Sequence, residues 1–183
     1  VIDGTILCHL AAQARGDFRI LINAVLCRDK DLAPYFLPVD FSPGKAAMKN
    51  NVATGRRARE AMAEDIPVLI FPSGFVSTAG KFGTGRAVDA PWTTFAAKLI
   101  SDARANVVPI FFHGQNSRAF HIASHLSESL RMAFLIREAR ARFGTRFDVT
   151  IGDTLAYESL EEIKGRKALT HYLYDAVQQL DEA

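Results

Sequence analysis

The sequence has few of the residues that mark several large classes of protein. Only two of its 183 residues are cysteine, Cys8 and Cys27, and they form neither a C-x-x-C pair nor a Cys/His metal spacing. Reduced thiols in a cytosolic protein are therefore expected, not a disulfide scaffold. The formal net charge is only +2, and no run of like charge resembles an arm that binds nucleic acid, which excludes nucleic acid as the expected partner. No apolar stretch approaches the roughly 18 residues of a membrane-spanning helix.

Several catalytic and ligand-binding motifs are also incomplete. The segment from Gly80 to Arg86 resembles a phosphate loop but lacks its Gly-Lys-Ser/Thr ending, and the triplet Gly83-Thr84-Gly85 lacks the third glycine of a dinucleotide fingerprint. Pro72-Ser73-Gly74 is not the Gly-x-Ser-x-Gly elbow of serine hydrolases. His121 and His125 stand one helical turn apart, but the glutamate of a zinc-protease motif is missing. No metal site is therefore predicted.

The most informative stretch runs from Pro67 to Ala87. A short apolar run from Ile66 to Phe71 lies between breaking residues, which predicts a buried strand. The loop after it contains glycines and hydroxyl side chains, and Lys81 and Arg86 add positive charge. Backbone N–H groups and hydroxyls at the carboxyl end of a buried strand commonly bind anionic groups in α/β proteins. This loop is therefore predicted to bind substrate.

Predicted strands and helices alternate along the chain. Apolar residues at helical spacing predict helices over 4–14, 42–65, 92–103, 132–143 and 169–180, and apolar runs predict strands over 18–22, 35–39, 66–71, 107–112 and 147–151. Pro38 cannot donate to a sheet ladder, which favours either the edge of the sheet for the second strand or a position at the end of that strand. The order predicts a single-domain α/β sandwich over residues 1–183, with a mostly buried mixed sheet flanked by helices.

Two of the predicted strands end in polar loops of small residues. One strand ends at Phe71, and the other ends at Phe112, where the loop from His113 to Ser117 follows. If the two strands lie side by side, their loops form one crevice at the carboxyl edge of the sheet, the usual ligand site of an open α/β sheet. Asn116 and Ser117 are therefore candidate substrate-binding residues.

Several short segments, taken in order, carry a family resemblance. They are Asp3-Gly4, Pro38 to Asp40, Asn51, Ile70 to Ser77, Asp89 to Trp92, Val107 to Ser117, Leu130-Arg131 and Arg137-Glu138. Together they resemble the glycerophospholipid acyltransferase superfamily, and more narrowly its bacterial hemolysin-like branch. The resemblance implies transfer of a fatty acyl group from acyl-CoA or acyl-carrier protein to a hydroxyl of a lysophospholipid or related lipid in bacterial lipid synthesis. It implies no cofactor besides this acyl thioester co-substrate.

The resemblance gives Asp3 a catalytic role. It matches the aspartate of the family's first motif, whose histidine a few residues earlier would lie upstream of Val1. Because the chain also lacks an initiator methionine, we expect it to be truncated at its N-terminus. Asp3 would fix the tautomer of that histidine while the ring takes the proton of the attacking hydroxyl. On residue type alone, Asp3 is interpreted as an ordinary helix N-cap.

The family's third motif, usually Phe-Pro-Glu-Gly followed by Thr, Arg or Ser, corresponds to the loop after Phe71. The substrate-binding residues that it implies are Phe71, Pro72, Ser73, Gly74, Phe75 and Ser77. Ser73 replaces the usual glutamate, and the backbone from Ser73 to Phe75 is a candidate for oxyanion stabilisation. The second motif often ends in an arginine that holds a phosphate, but here Phe41 follows Asp40. A glycerol-phosphate acceptor is therefore not implied.

The expected partners are a lipid acceptor, an acyl thioester donor that includes acyl-carrier protein, and a peripheral membrane surface. Lys45, Lys81 and Arg86 are candidates for contacts with an anionic head group or with the phosphate of a carrier. The expected location is the cytoplasmic face of the bacterial inner membrane or the cytoplasm. Two alternatives remain open, which are a catalytically inactive lipid-binding module on the same fold and a nucleotide-dependent enzyme that uses the loop from Gly80 to Gly85.

Overall fold

The computed structural model describes residues 2–27, 30–80 and 82–181. Its α-helices are α1 (Ile2–Arg15), α2 (Lys45–Ala63), α3 (Phe95–Ala103), α4 (Arg118–Leu126), α5 (Glu128–Ala141), α6 (Tyr157–Glu161) and α7 (Arg166–Gln178). Its strands are β1 (Arg19–Asn23), β2 (Phe36–Val39), β3 (Val68–Leu69), β4 (Ile110–Phe112) and β5 (Val149–Ile151). This content confirms the α/β fold class that the sequence predicts. No helix within the described ranges is long and apolar enough to cross a bilayer.

The strands form two small ladders. β1 lies between β2 and β3 and is parallel to both, whereas β4 pairs with β5 in antiparallel register. β2 is an edge strand, as Pro38 predicts, because proline has no N–H group to offer a further strand. β3 and β4 are therefore not neighbours in one ladder, and any crevice between the loops that follow them has to form where the two sheets meet.

Two helices, α4 and α6, have no counterpart among the predicted helices. α4 buries Phe120 and Ala123, but histidines and a serine interrupt the apolar spacing from which a helix is normally predicted. The hydroxyl oxygen of Ser117 accepts a hydrogen bond from the Phe120 N–H at 3.3 Å, which satisfies a free donor of the first turn. A cap in the polar loop therefore starts α4.

Polar contacts fix α2 to the end of β2. Small side chains such as Ala58 let the helix approach the sheet closely, and the Thr54 hydroxyl donates to the carbonyl of Pro38 at 2.6 Å. Asn51 exchanges two hydrogen bonds with the backbone of Asp40, one in each direction and both 2.8 Å long. Since Asp40 directly follows β2, these bonds set where the chain leaves the sheet and enters the turn before α2.

The described residues form two apolar clusters. The first joins the parallel ladder to α2 and α3 and is centred on Leu21, Leu37, Ala58 and Leu99. The second joins α3 to α6 and α7 and is centred on Ala97, Leu160, Leu169 and Leu173. α3 therefore contributes to both clusters and connects the two halves of the interior.

Leu37→Ala is expected to lower the free energy of unfolding by about 2–5 kcal/mol, because truncating a buried leucine leaves a cavity. Leu37 is only 1% exposed. The matched control is Leu126→Ala at a position that is 71% exposed, where a loss under about 0.5 kcal/mol is expected. Urea unfolding measures both variants, and equal losses would contradict the assignment of Leu37 to the core.

Candidate active site

The first turn of α1 lies against both of the loops that the sequence singles out. Asp3 lines a small pocket together with Asn116 from the loop after β4. A Cβ atom placed on Gly4 would lie 4.0 Å from the ring of Phe71. The ring centroids of Phe71 and Phe112 are 6.4 Å apart. The chain segments at the ends of β3 and β4 therefore approach each other across the two ladders, beside the start of α1.

Glu138 of α5 anchors the loop that carries Asn116. It is 8% exposed, and one of its oxygens accepts the N–H of Ser117 at 2.9 Å. The Ser117 hydroxyl donates to the other oxygen of the same carboxylate, and Arg142 donates to the carbonyl of Gln115. A buried carboxylate is costly unless it is hydrogen-bonded. The two bonds from Ser117 therefore stabilise Glu138 and fix the loop at the same time.

The pocket beside Asp3 is polar and small. It combines the carboxylates of Asp3 and Glu138 with the guanidinium group of Arg142, and its volume is about 20 Å³. That volume is enough for a water molecule and too small for an acyl chain. Asp3 is exposed, so its carboxylate remains accessible to groups outside the pocket.

The loop after β3 is held closed by its own hydrogen bonds. The Gly74 N–H donates to the carbonyl of Phe71 at 2.9 Å. The Phe75 N–H donates to the Ser73 hydroxyl oxygen at 3.3 Å, and that hydroxyl donates to the Phe75 carbonyl at 2.9 Å. Two of the three amides that are candidates for oxyanion stabilisation are therefore engaged in this conformation. Donation from them to an oxyanion would require these hydrogen bonds to break.

Gly74 is required at the tip of this loop for two reasons. Its φ angle is +69°, in the left-handed region that side chains disfavour, and a Cβ atom there would lie 2.7 Å from Phe41 Cζ. The ring of Phe41 instead packs against Phe75 with centroids 5.5 Å apart. The turn before α2 therefore contacts this loop through an aromatic pair. The loop, residues 72–77, is called the substrate loop below because the sequence predicts that it binds substrate.

The rest of the substrate loop is attached to the segment before α3. The carbonyl of Pro72 accepts the Thr93 N–H at 3.1 Å and the Thr93 hydroxyl at 3.3 Å. The Ser77 hydroxyl donates to Asp89, whose carboxylate also accepts Trp92 Nε1 at 3.0 Å. The Ser77 hydroxyl therefore holds the loop in position, and its contact with a substrate stays a prediction.

A groove of about 490 Å³ lies beside Asp89 and Trp92. Its other wall is α7, which contributes Lys167, Thr170, His171 and Tyr174. The rings of Trp92 and Tyr174 meet edge to face with centroids 5.3 Å apart. Trp92 and Thr94 of the groove wall flank Thr93, which binds Pro72. The groove therefore lies next to the contact between Thr93 and the substrate loop.

Neither Lys45 nor Arg86 lines the pocket beside Asp3. Lys45 is the first residue of α2 and is exposed. Arg86 forms an ion pair with Asp181, whose carboxylate also lies 3.5 Å from His113 Nδ1. Lys81 lies outside the described residues. The structure therefore does not bring Lys45 and Arg86 together with Asp3.

Two histidines of α4 hold the loop between β3 and α3 by its backbone. The Ala79 N–H donates to His121 Nδ1 at 3.2 Å, and His125 Nε2 donates to the Ala79 carbonyl at 2.9 Å. His121 is fully buried, and burial lowers the pKa of its ring. Among the described residues no group of three or more His, Cys, Asp or Glu side chains could hold a metal ion. The two histidines therefore have a structural role at Ala79.

Glu138 and Arg142 are residues of this site that the sequence did not single out. Glu138 lies in α5 and Arg142 directly follows it, in a segment with several arginines, which indicates a solvated face more often than a site. The sequence offered one indication of Glu138. The family resemblance includes the pair Arg137-Glu138, but it assigns no role to either residue. Only the fold shows that Glu138 turns inward and reaches Ser117.

Comparison with known proteins assigns the family. The model of the acyltransferase family matches residues 1–170, so the chain belongs to that family. Two curated relatives, from Phocaeicola vulgatus and Bacteroides thetaiotaomicron, are named lyso-glycine lipid O-acyltransferase, and each is 26% identical to this chain over 193 residues. The alignments cover 97% of this chain but 63% and 65% of the two relatives, so the chain spans just under two thirds of their length. No solved structure matches the chain significantly.

Glu138→Gln is expected to lower the free energy of unfolding by about 1–3 kcal/mol, because the amide presents only one acceptor to the two donors of Ser117. Combining it with Ser117→Ala should reveal a coupling energy of at least about 0.5 kcal/mol. Glu162→Gln, at an exposed position, is the matched control. Urea unfolding of the single and double variants measures the coupling, and strictly additive losses would contradict the proposed contact.

His121→Asn is expected to weaken the dependence of stability on pH. Because burial lowers the pKa of His121 in the folded state, the unfolded chain binds more protons as the pH falls through about 6.5, so this histidine costs stability as the solution becomes more acidic. Asparagine keeps an acceptor for the Ala79 N–H but cannot titrate. Urea unfolding between about pH 7 and pH 5 should therefore show a smaller loss in the variant than in the wild type. His9→Asn, at an exposed position of α1, is the control, and identical profiles for wild type and His121→Asn would contradict the prediction.

Proposed function

We propose that this protein transfers a fatty acyl group from an acyl thioester to a hydroxyl of a lyso-lipid. The position of Asp3 carries the proposal. It is an exposed carboxylate that shares a pocket with Asn116, while its neighbour Gly4 lies against Phe71. Family membership supports the reaction class, and the closeness of Phe71 to Phe112 and to Gly4 supports a substrate near the ends of both loops.

Asp3 acts in this proposal through the histidine that the family resemblance implies a few residues before it. The neutral ring takes the proton of the acceptor hydroxyl while the hydroxyl oxygen attacks the thioester carbonyl. A C–O bond forms, the C–S bond breaks, and the proton passes from the ring to the departing thiolate. Asp3 keeps the ring in the accepting tautomer and stabilises the imidazolium that forms. No acyl-enzyme is needed.

The acceptor that we propose is a lyso-lipid with an amino-acid head group. Phe41 occupies the position at which the family often has an arginine for a phosphate, and its ring packs on Phe75. An aromatic pair binds aliphatic chains and supplies no charge to a phosphate. The two relatives are named for a lyso-glycine lipid, which fits an acceptor without a glycerol phosphate.

The donor that we propose is acyl-CoA or acyl-carrier protein, with its acyl chain or carrier arm in the groove beside Trp92. The groove has a volume of about 490 Å³ and carries Lys167 in its wall. A positive charge there would favour the phosphate of a carrier arm. We also propose that the protein works at the cytoplasmic face of the bacterial inner membrane, because its lipid acceptor resides in a bilayer.

Asp3→Asn is expected to lower kcat/KM by about 10²–10⁴-fold, because the amide cannot hold the histidine in the accepting tautomer. The assay uses the full-length protein with the upstream histidine that the proposal requires, and it supplies acyl-CoA or acyl-carrier protein with lyso-glycine lipid and, in parallel, with lysophosphatidic acid. Asp153→Asn, at an exposed position, is the matched control and should keep the wild-type rate.

Three results would contradict parts of this proposal. A wild-type rate for Asp3→Asn would remove the role of Asp3. A higher kcat/KM with lysophosphatidic acid than with lyso-glycine lipid would overturn the proposed acceptor. Binding of lyso-lipid without acyl transfer from either donor would favour the inactive lipid-binding module instead.

A further inference from the structure

The outer face of α2 carries large apolar side chains that are exposed and do not pack into either apolar cluster of the described residues. Met48 and Val52 are 65% and 66% exposed, and they stand one turn apart. The buried residues of the same helix, such as Thr54 and Ala58, point in the opposite direction, toward the sheet. Large apolar side chains on an exposed helix face indicate a surface for another apolar partner when they adjoin further exposed apolar residues.

Cations surround these apolar residues. Lys45 and Lys49 lie on the same outward stripe as Met48 and Val52, because residues three and four apart share one face of a helix. The first turn of α2 contains no acidic residue, and the sequence from Lys45 to Ala53 contains none either. A stripe that combines lysines with apolar side chains complements the head groups and the acyl boundary of an anionic bilayer.

Two further exposed aromatic rings lie beside the turn that precedes α2. Phe41 precedes α2 and is 44% exposed, and Phe75 in the substrate loop is 53% exposed. Their ring centroids are 5.5 Å apart. Exposed apolar side chains are therefore present both on α2 and where the turn before it meets the loop in which we propose that the acceptor binds.

We propose that this surface, formed by Phe41, Lys45, Met48, Lys49, Val52 and Phe75 and called the α2 face below, docks on an anionic membrane. The proposal rests on the proposed function, because a lipid acceptor enters most directly from a bilayer that contacts the mouth of its site. Phe41 and Phe75 insert at the level of the acyl boundary, and the two lysines bind the anionic head groups. The docked protein then presents the substrate loop to the membrane.

α5 provides a charge-matched comparison on another part of the protein. Its residues Arg137 and Arg140 are exposed, and Ile136 beside them is 56% exposed. A general attraction of this protein to anionic lipid would respond equally to charge reversal on either helix. Docking through the α2 face responds more strongly to charge reversal on α2 than on α5.

The first experiment measures sedimentation with vesicles of phosphatidylcholine alone or mixed with phosphatidylglycerol, at low and high salt and without substrate. Lys45→Glu combined with Lys49→Glu is expected to weaken binding to the anionic vesicles by at least about tenfold. Arg137→Glu combined with Arg140→Glu makes the same change in net charge. It should weaken vesicle binding less than about threefold, because it removes only the nonspecific attraction that depends on the net charge of the protein. Equal losses for the two double variants would overturn the proposal.

The second experiment tests the apolar part of the surface. Met48→Ser combined with Val52→Ser is expected to lower binding to anionic vesicles at high salt, where the lysine contribution is screened. Val108→Ser combined with Ile151→Ser is the control, because these residues are 50% and 55% exposed and lie outside the α2 face. Wild-type binding by the Met48 and Val52 variant would overturn the proposal. The same conclusion would follow if that variant changed only the oligomeric state, since a second copy of the chain would then cover this face.

The outcomes separate this inference from the proposed function. Vesicle binding is measured without acyl donor or acceptor, so its result does not depend on whether the protein transfers acyl groups. The Met48 and Val52 variant should lose activity on an acceptor embedded in vesicles and keep it on a short-chain acceptor below its micelle concentration. Equal losses on both acceptors would contradict docking while leaving the proposed reaction intact.

Discussion

A carboxylate that is removed from water has to be satisfied by hydrogen bonds, and the candidate site depends on one such group. Glu138 accepts two donors from Ser117, and this interaction joins α5 to the loop after β4 and to the start of α4. Ser117 caps α4 through the same hydroxyl. The position of Asn116, and with it the wall of the pocket beside Asp3, follows from this one pair. Because Glu138 is buried, truncating Ser117 would remove a hydrogen bond that water cannot readily replace at its carboxylate, which is why the pair constrains so much of the surrounding chain.

Much of the fold follows from local pattern, and what does not follow depends on contacts between distant residues. The apolar spacing that predicts a helix over 4–14 corresponds to α1, and Pro38 correctly indicates an edge strand. The division into two ladders could not be predicted, because it depends on which strands pair across long intervals of sequence. α4 was missed for another reason. Its inward face includes His121, a residue that periodicity counts as polar, although its ring is buried against the backbone of Ala79.

The candidate site, like the fold, could be predicted from local sequence only in part. The loops after Phe71 and Phe112 could be identified from composition, since small and hydroxyl residues follow two apolar runs. That Ser73 and Ser77 use their hydroxyls within the protein could not be identified, because a sequence does not show which polar groups are already paired. Glu138 is the clearest case, since its chemistry depends on a partner 21 residues away. Residue type therefore suggested where a substrate binds, and only the contacts separate residues that hold the site from residues that are free to act.

The parallel arrangement of the first ladder has a consequence for biosynthesis. β1 is central in that ladder but is translated before both of its neighbours, and its pairing with β3 has to wait until Val68 and Leu69 emerge from the ribosome. During the interval in which α2 is made, one edge of β1 has no strand to pair with. Unpaired strand edges are a common starting point for association between nascent chains. Until β3 emerges, the growing polypeptide therefore passes through a stage at which one edge of its central strand is open to a second nascent chain.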